Sequence, residues 1–122
     1  MEIENKEIKH QIELLIDASD TFYNQGDLSG AIKKLLDSWE LLPVEKEIFD
    51  ESFLISKYIT MLSMEIGDYE QAKVWAYKAS KCDPERALNG EKEFLIGQVA
   101  FESGDMIDAK KYFKKHNVSS SR

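Results

Sequence analysis

Apolar residues recur at three- and four-residue steps along most of the chain. Ile12, Leu15, Ile16, Phe22 and Tyr23 form a first stripe with Ser19 inside it; Ile55, Ile59, Leu62 and Ile66 form a second; Ile96, Val99 and Ala100 form a third. This is the period of one helix face. Each stripe runs into the same six-letter pattern, Gly-Asp, three variable residues and Ala: GDLSGA at 26–31, GDYEQA at 67–72 and GDMIDA at 104–109. The pattern has a mechanical reading. Glycine takes the left-handed conformation that closes a helix without a Cβ penalty. The aspartate then accepts N–H bonds from the first turn of the next helix and suits its positive end. The alanine methyl lets that helix lie close against the previous one. Three such stretches predict three helical hairpins and an all-α chain.

The copies begin 41 and 37 residues apart, a period that points to a solenoid. At 122 residues the chain is expected to form one domain. Hairpin 1 is placed at about 12–45, with residues 1–11 extending its first helix. Hairpin 2 spans about 46–86 and hairpin 3 about 90–116, followed by a polar tail at 117–122. The run VEKEIFDESF at 44–53 favours helix, so the extra residues there are expected to lengthen the third helix. Asn89-Gly90 reads as a break between a short turn starting at Pro84 and the fifth helix.

On these residues the chain resembles the tetratricopeptide repeat (TPR) family. Ser19, Phe22, Gly26, Asp27, Ala31, Leu35 and Pro43 carry the match in the first copy. Thr60, Gly67, Asp68, Tyr69, Ala72, Ala79, Asp83 and Pro84 carry it in the second, and Gly97, Gly104, Asp105, Ala109 and Phe113 in the third. The match departs from the family where a bulky residue is expected early in the first helix: Ser56 and Glu93 stand there in the second and third copies. The resemblance implies three TPR-like hairpins stacked as a short right-handed α-solenoid whose first helices line a concave groove. Transferred to this chain, the groove positions are Glu13, Ile16, Asp20, Tyr23 and Asn24; Leu54, Lys57, Met61, Met64 and Glu65; and Glu91, Phe94, Gln98, Phe101 and Glu102. Large apolar side chains in this set suit an adaptable protein surface, and its carboxylates suit a basic one. A one-position rotation would turn Ile16, Met61 and Phe101 into core residues instead, and helix carboxylates are commonly a solvated face. Members of the family that grip the C-terminal carboxylate of chaperones need basic groups and Asn. The corresponding positions here hold Ile16, Asp20, Tyr58, Glu91 and Leu95, which speaks against that ligand.

Charge narrows the partner. A net charge of −7 argues against nucleic acid, whose binding relies on Lys and Arg neutralising phosphates. No apolar run is long enough to span a membrane, and MEIENKEIKHQ at the start lacks the apolar stretch of a secretory signal, so a cytoplasmic location is expected. Cys82 is the single cysteine, so an internal disulfide cannot form, and its position reads as packing. His10 and His116 lie far apart, and neither a zinc pattern, a phosphate-binding loop nor a nucleophile elbow occurs. No cofactor, no metal and no enzymatic activity are expected. Asn117-Val-Ser119 matches a glycosylation sequon that this location would leave unused.

The leading expectation is a protein-protein interaction module that binds a basic, partly apolar protein or peptide. A sharper form rests on resemblance to small stand-alone bacterial TPR proteins, carried by WELLP at 39–43 and FLIGQVAFESGD at 94–105: an immunity protein that blocks a basic toxin. The alternative is a structural or assembly subunit that self-associates or joins a larger complex. Met106, Ile107, Tyr112 and Phe113 mark the last helix as a surface for a partner or for a homodimer, the alternative being that the Tyr112 and Phe113 rings pack inward against the fifth helix.

Overall fold

The computed structural model describes residues 1–82 and 91–104, the side chains of 91 and 92 excepted. Among these residues there is no strand. Five helices follow in order: α1 (Lys6–Asn24), α2 (Leu28–Leu41), α3 (Asp50–Glu65), α4 (Tyr69–Ser80) and α5 (Glu91–Glu102), with a 3-10 turn at Lys46–Ile48 before α3. They pack in sequential antiparallel pairs, α1 on α2, α2 on α3, α3 on α4 and α4 on α5, and α3 also touches α5.

The Gly-Asp turns explain the reversals. Gly26 and Gly67 sit at φ +81° and +82°. The Gly26 amide donates to the Tyr23 carbonyl and the Asp27 amide to the Phe22 carbonyl, each at 2.9 Å. The same crossed pair recurs as Gly67 to Met64 and Asp68 to Ser63. These bonds satisfy carbonyls that a helix end otherwise leaves open. The aspartates then turn to the next helix, with Asp27 Oδ1 accepting from the Gly30 amide at 2.8 Å and Asp68 Oδ1 from the Gln71 amide at 3.1 Å. Ala31 and Ala72 are completely buried where each second helix crosses the first. At the first crossing the buried Ser19 hydroxyl donates to the Ala31 carbonyl at 2.8 Å. Gly104, at φ +92°, ends α5; Asp105, Ala109 and the rest of the third copy lie outside the described residues.

α3 is the central element, with nine of its sixteen residues buried. Four of the nine are Ser52, Ser56, Thr60 and Ser63, small enough to admit neighbouring backbones. Their hydroxyls are satisfied nearby: Ser56 donates to the Ser52 carbonyl at 2.9 Å and Thr60 to the Ser56 carbonyl at 2.8 Å. Gln71 Nε2 donates to Ser63 Oγ at 2.8 Å. Such local bonds remove most of the cost of burying a hydroxyl. Cys82, also buried, lies with its Sγ 3.9 Å from Ser56 Oγ, which closes the end of α4 over the start of α3. Trp39 and Trp75 meet edge to face at 5.1 Å, and the Lys78 ammonium lies over both rings, so α2 and α4 are joined by a cation–aromatic stack.

Three expectations are corrected. Residues 6–11 do extend the first helix, but 1–5 do not. Asn5 caps α1 by accepting from the Glu7 and Ile8 amides at 3.1 Å, and the preceding segment runs across to the start of α3. There Ile3 is buried and the Asp50 amide donates to the Met1 carbonyl. The run 44–49 does not lengthen α3 either. Glu45 takes a left-handed conformation at φ +64°, and Phe49 is extended with its ring buried, so α3 begins only at Asp50. Burial of Phe49 and Ile3 outweighs the helix propensity of the run. Lys46 uses the reversal to reach the open end of α2, donating to the Glu40 carbonyl at 3.0 Å. Third, Met64 is buried rather than groove-facing. α3 has neighbours on both flanks, and Met64 joins the same core cluster as Leu95 and Val99 of α5.

Candidate functional site

A cleft of about 460 Å³ opens between α1 and α3. This falls in the range, about 300–1,000 Å³, that takes a small ligand or a few side chains. α1 contributes Ile16, Asp17, Asp20 and Tyr23 to its walls. α3 contributes Leu54, Tyr58, Met61, Leu62 and Glu65. Leu35 from α2, together with Ser19, lies at its base. The geometry follows from the hairpins. α1 and α3 run the same way because α2 reverses between them, and α2 is the element that both lean on.

The cleft brings together six of the residues expected in the groove: Ile16, Asp20, Tyr23, Leu54, Met61 and Glu65. Glu13 and Asn24 are exposed on α1 and Lys57 is half-buried on α3, all outside the lining. Phe94, Gln98, Phe101 and Glu102 lie on α5, apart from this cleft, with Phe94 and Glu102 exposed and the other two half-buried. The Glu91 side chain lies outside the described residues. Asp17 and Tyr58 line the cleft and were absent from the groove set. They stand 41 positions apart, the spacing of the first two Gly-Asp copies, so register alone pairs them. The set placed Lys57 where α3 presents Tyr58.

One hydrogen bond crosses the mouth. The Tyr23 hydroxyl on α1 donates to Glu65 Oε1 on α3 at 3.2 Å. The Glu65 charge, and then this hydrogen bond, hold the Tyr23 phenol above its ordinary pKa. Tyr23, Tyr58, Met61 and Leu54 remain substantially exposed, at 42%, 41%, 41% and 38%. Exposed aromatic and Met side chains around a concavity are a place where a partner gains by burying apolar surface.

The electrostatics have one sign. Three carboxylates, Asp17, Asp20 and Glu65, line the cleft, and no lysine or arginine does. The bias extends to the helices. α1, α3 and α5 carry ten carboxylates against four lysines, whereas α2 and α4 carry three against four. Among the described helices the carboxylates are therefore concentrated on alternate ones, and the cleft lies between two of them. Low-dielectric walls of one sign focus such a field and attract oppositely charged partners.

Among the described residues no group of three or more His, Cys, Asp or Glu side chains is arranged to hold a metal ion, and no helix is long and apolar enough to cross a membrane. The cleft lining contains neither histidine nor cysteine. Comparison of the chain with protein-family models, with curated proteins and with solved structures finds no match.

Proposed function

We propose that this chain is a non-enzymatic protein-binding module, built as a short TPR-like α-solenoid, that captures a basic and partly apolar protein or peptide segment in the cleft between α1 and α3. The observation that carries the reading is the lining: two phenols, aliphatic and Met side chains, three carboxylates and no opposing base. A long cationic side chain matches it on both counts, laying its methylene stem on Leu54, Met61 and Ile16 while its charge meets Asp17, Asp20 or Glu65. The exposed carboxylates speed encounter, and burial of the tyrosines sets the residence time. Support for the solenoid comes from the twice-repeated turn geometry at Gly26-Asp27 and Gly67-Asp68 and from the buried small residues Ser19, Thr60 and Gly97 at matching register.

The direct test is fluorescence anisotropy with short labelled peptides that carry alternating lysine or arginine and aromatic residues, against acidic peptides of equal length. Basic peptides bind and acidic ones do not. Reversing Asp20 and Glu65 to Lys weakens binding by about tenfold or more, since two exposed pairs contribute up to about 1 kcal/mol each. Equal binding by both peptide classes, or indifference to the double reversal, refutes the proposal. A basic toxin domain is one partner of this chemistry, and rescue of growth on co-expression tests that narrower role.

A further inference from the structure

The chain contains a segment with the chemistry the cleft asks for. Residues 110–115 read Lys-Lys-Tyr-Phe-Lys-Lys, placing four of the sixteen basic residues in six positions. Elsewhere no separate stretch of six holds more than two. We infer that the α1/α3 cleft of one copy receives residues 110–115 of a second copy. The inference rests on the reading of the cleft as a site for a basic, partly apolar segment, and it names the occupant.

Two features favour it. The complementarity is double: lysine pairs flank an aromatic pair in the segment, while carboxylates border aliphatic and phenolic side chains in the cleft. Charge is also distributed so that two copies attract locally despite a net −7 each, because the carboxylates crowd onto α1, α3 and α5 while this segment is strongly positive. A second copy is favoured over the same chain by the way the chain leaves α5. α5, from whose end the segment continues, packs on α4 and α3 and gives no residue to the cleft, so the cleft of the same copy lies across α3 from it. Two reciprocal contacts then close a symmetric dimer. Each is small, so the dimer is weak and dissolves at high salt.

Sedimentation velocity on the full chain, over a concentration series at low and high salt, reads this out. The expected result is a monomer–dimer equilibrium at low salt that shifts to monomer at high salt. The variant with Lys110→Glu, Lys111→Glu, Lys114→Glu and Lys115→Glu weakens dimerisation at least tenfold, as does Asp20→Lys with Glu65→Lys. Mixing the two variants restores association, because the intact cleft of the first meets the intact segment of the second. Circular dichroism checks that both are folded, and Asp20→Asn with Glu65→Gln gives a milder variant should the reversal unfold the chain. A synthetic peptide of residues 108–117 binds the segment-reversed variant and not the cleft-reversed one.

A monomer under all conditions overturns the inference, as does a dimer indifferent to either reversal. A monomer whose cleft binds the 108–117 peptide only after its own segment is reversed also overturns it, since the occupant then comes from the same chain. If unrelated basic peptides bind the cleft while the chain stays monomeric, this inference falls and the binding-module reading stands. If no basic peptide binds, both fall.

Discussion

Leu35 lies at the base of the α1/α3 cleft and is 1% exposed, so its truncation separates two contributions that are usually confounded. Removing three carbons forfeits a transfer term of about 0.8 kcal/mol each, close to 2.4 kcal/mol in all. In a sealed core a residual void adds to this and brings such truncations to roughly 3–5 kcal/mol. The space vacated by Leu35 is continuous with an open cleft that already admits water, so the void term largely disappears. Ile59 provides the control. It has the same number of carbons, is 0% exposed on α3 and does not line the cleft. Leu35→Ala is therefore expected to cost about 2–2.5 kcal/mol and Ile59→Ala about 4 kcal/mol. The gap corresponds to a melting-temperature difference of roughly 5 °C or more at this chain length. Urea unfolding followed by circular dichroism, and by fluorescence of Trp39 and Trp75, measures both, with equal m-values as the check that the denatured state is unchanged. A Leu35→Ala cost equal to or above that of Ile59→Ala would refute the reasoning, because it would mean the base of the cleft is sealed like the core.

Further outcomes follow from single contacts. Gly67→Ala is expected to cost about 1 kcal/mol from left-handed backbone strain alone, because a Cβ there meets nothing within 4 Å; calorimetry measures the drop, and a cost near 3 kcal/mol would contradict the free space. Ser19→Ala removes the bond to the Ala31 carbonyl and is expected to destabilise by about 1 kcal/mol, whereas the larger Ser19→Val wedges α1 from α2 and costs more, both read by urea midpoints. The raised pKa of Tyr23 means its hydrogen bond to Glu65 stabilises the fold fully below the ordinary phenol range and is lost as pH rises through the folded-state pKa. Ultraviolet titration of the tyrosines should accordingly show a late component that disappears in Tyr23→Phe and moves down in Glu65→Gln.

The first two hairpins were legible because their determinants are local. The left-handed glycine, the capping aspartate and the buried alanine all act within six residues, and positions 26–31 and 67–72 behave as that logic requires. What escaped was decided at long range. The helix-favouring run at 44–49 turns aside because Phe49 and Ile3 find burial at one corner, and Ile3 lies far away in sequence. Met64 reads from period alone like a surface position on its helix. It joins the common core on a helix with neighbours on both flanks, while the corresponding end of α1, at Tyr23, stays exposed. The cleft residues were half legible for a related reason. Leu54, Met61 and Glu65 keep their expected face, but Lys57 and Tyr58 flank it, and which of the two reaches the cleft is set by the packing of α3 on three neighbours rather than by any stretch of its own sequence.

The two walls of the cleft are held unequally: α3 is gripped by α2, α4 and α5, while α1 rests mainly on α2. Under the proposed binding role, an occupant of unexpected girth is expected to swing α1 outward like a jaw against a fixed anvil. Amide exchange along α1 should slow on complex formation far more than exchange along α3, which makes the outer helix the element that adjusts the grip.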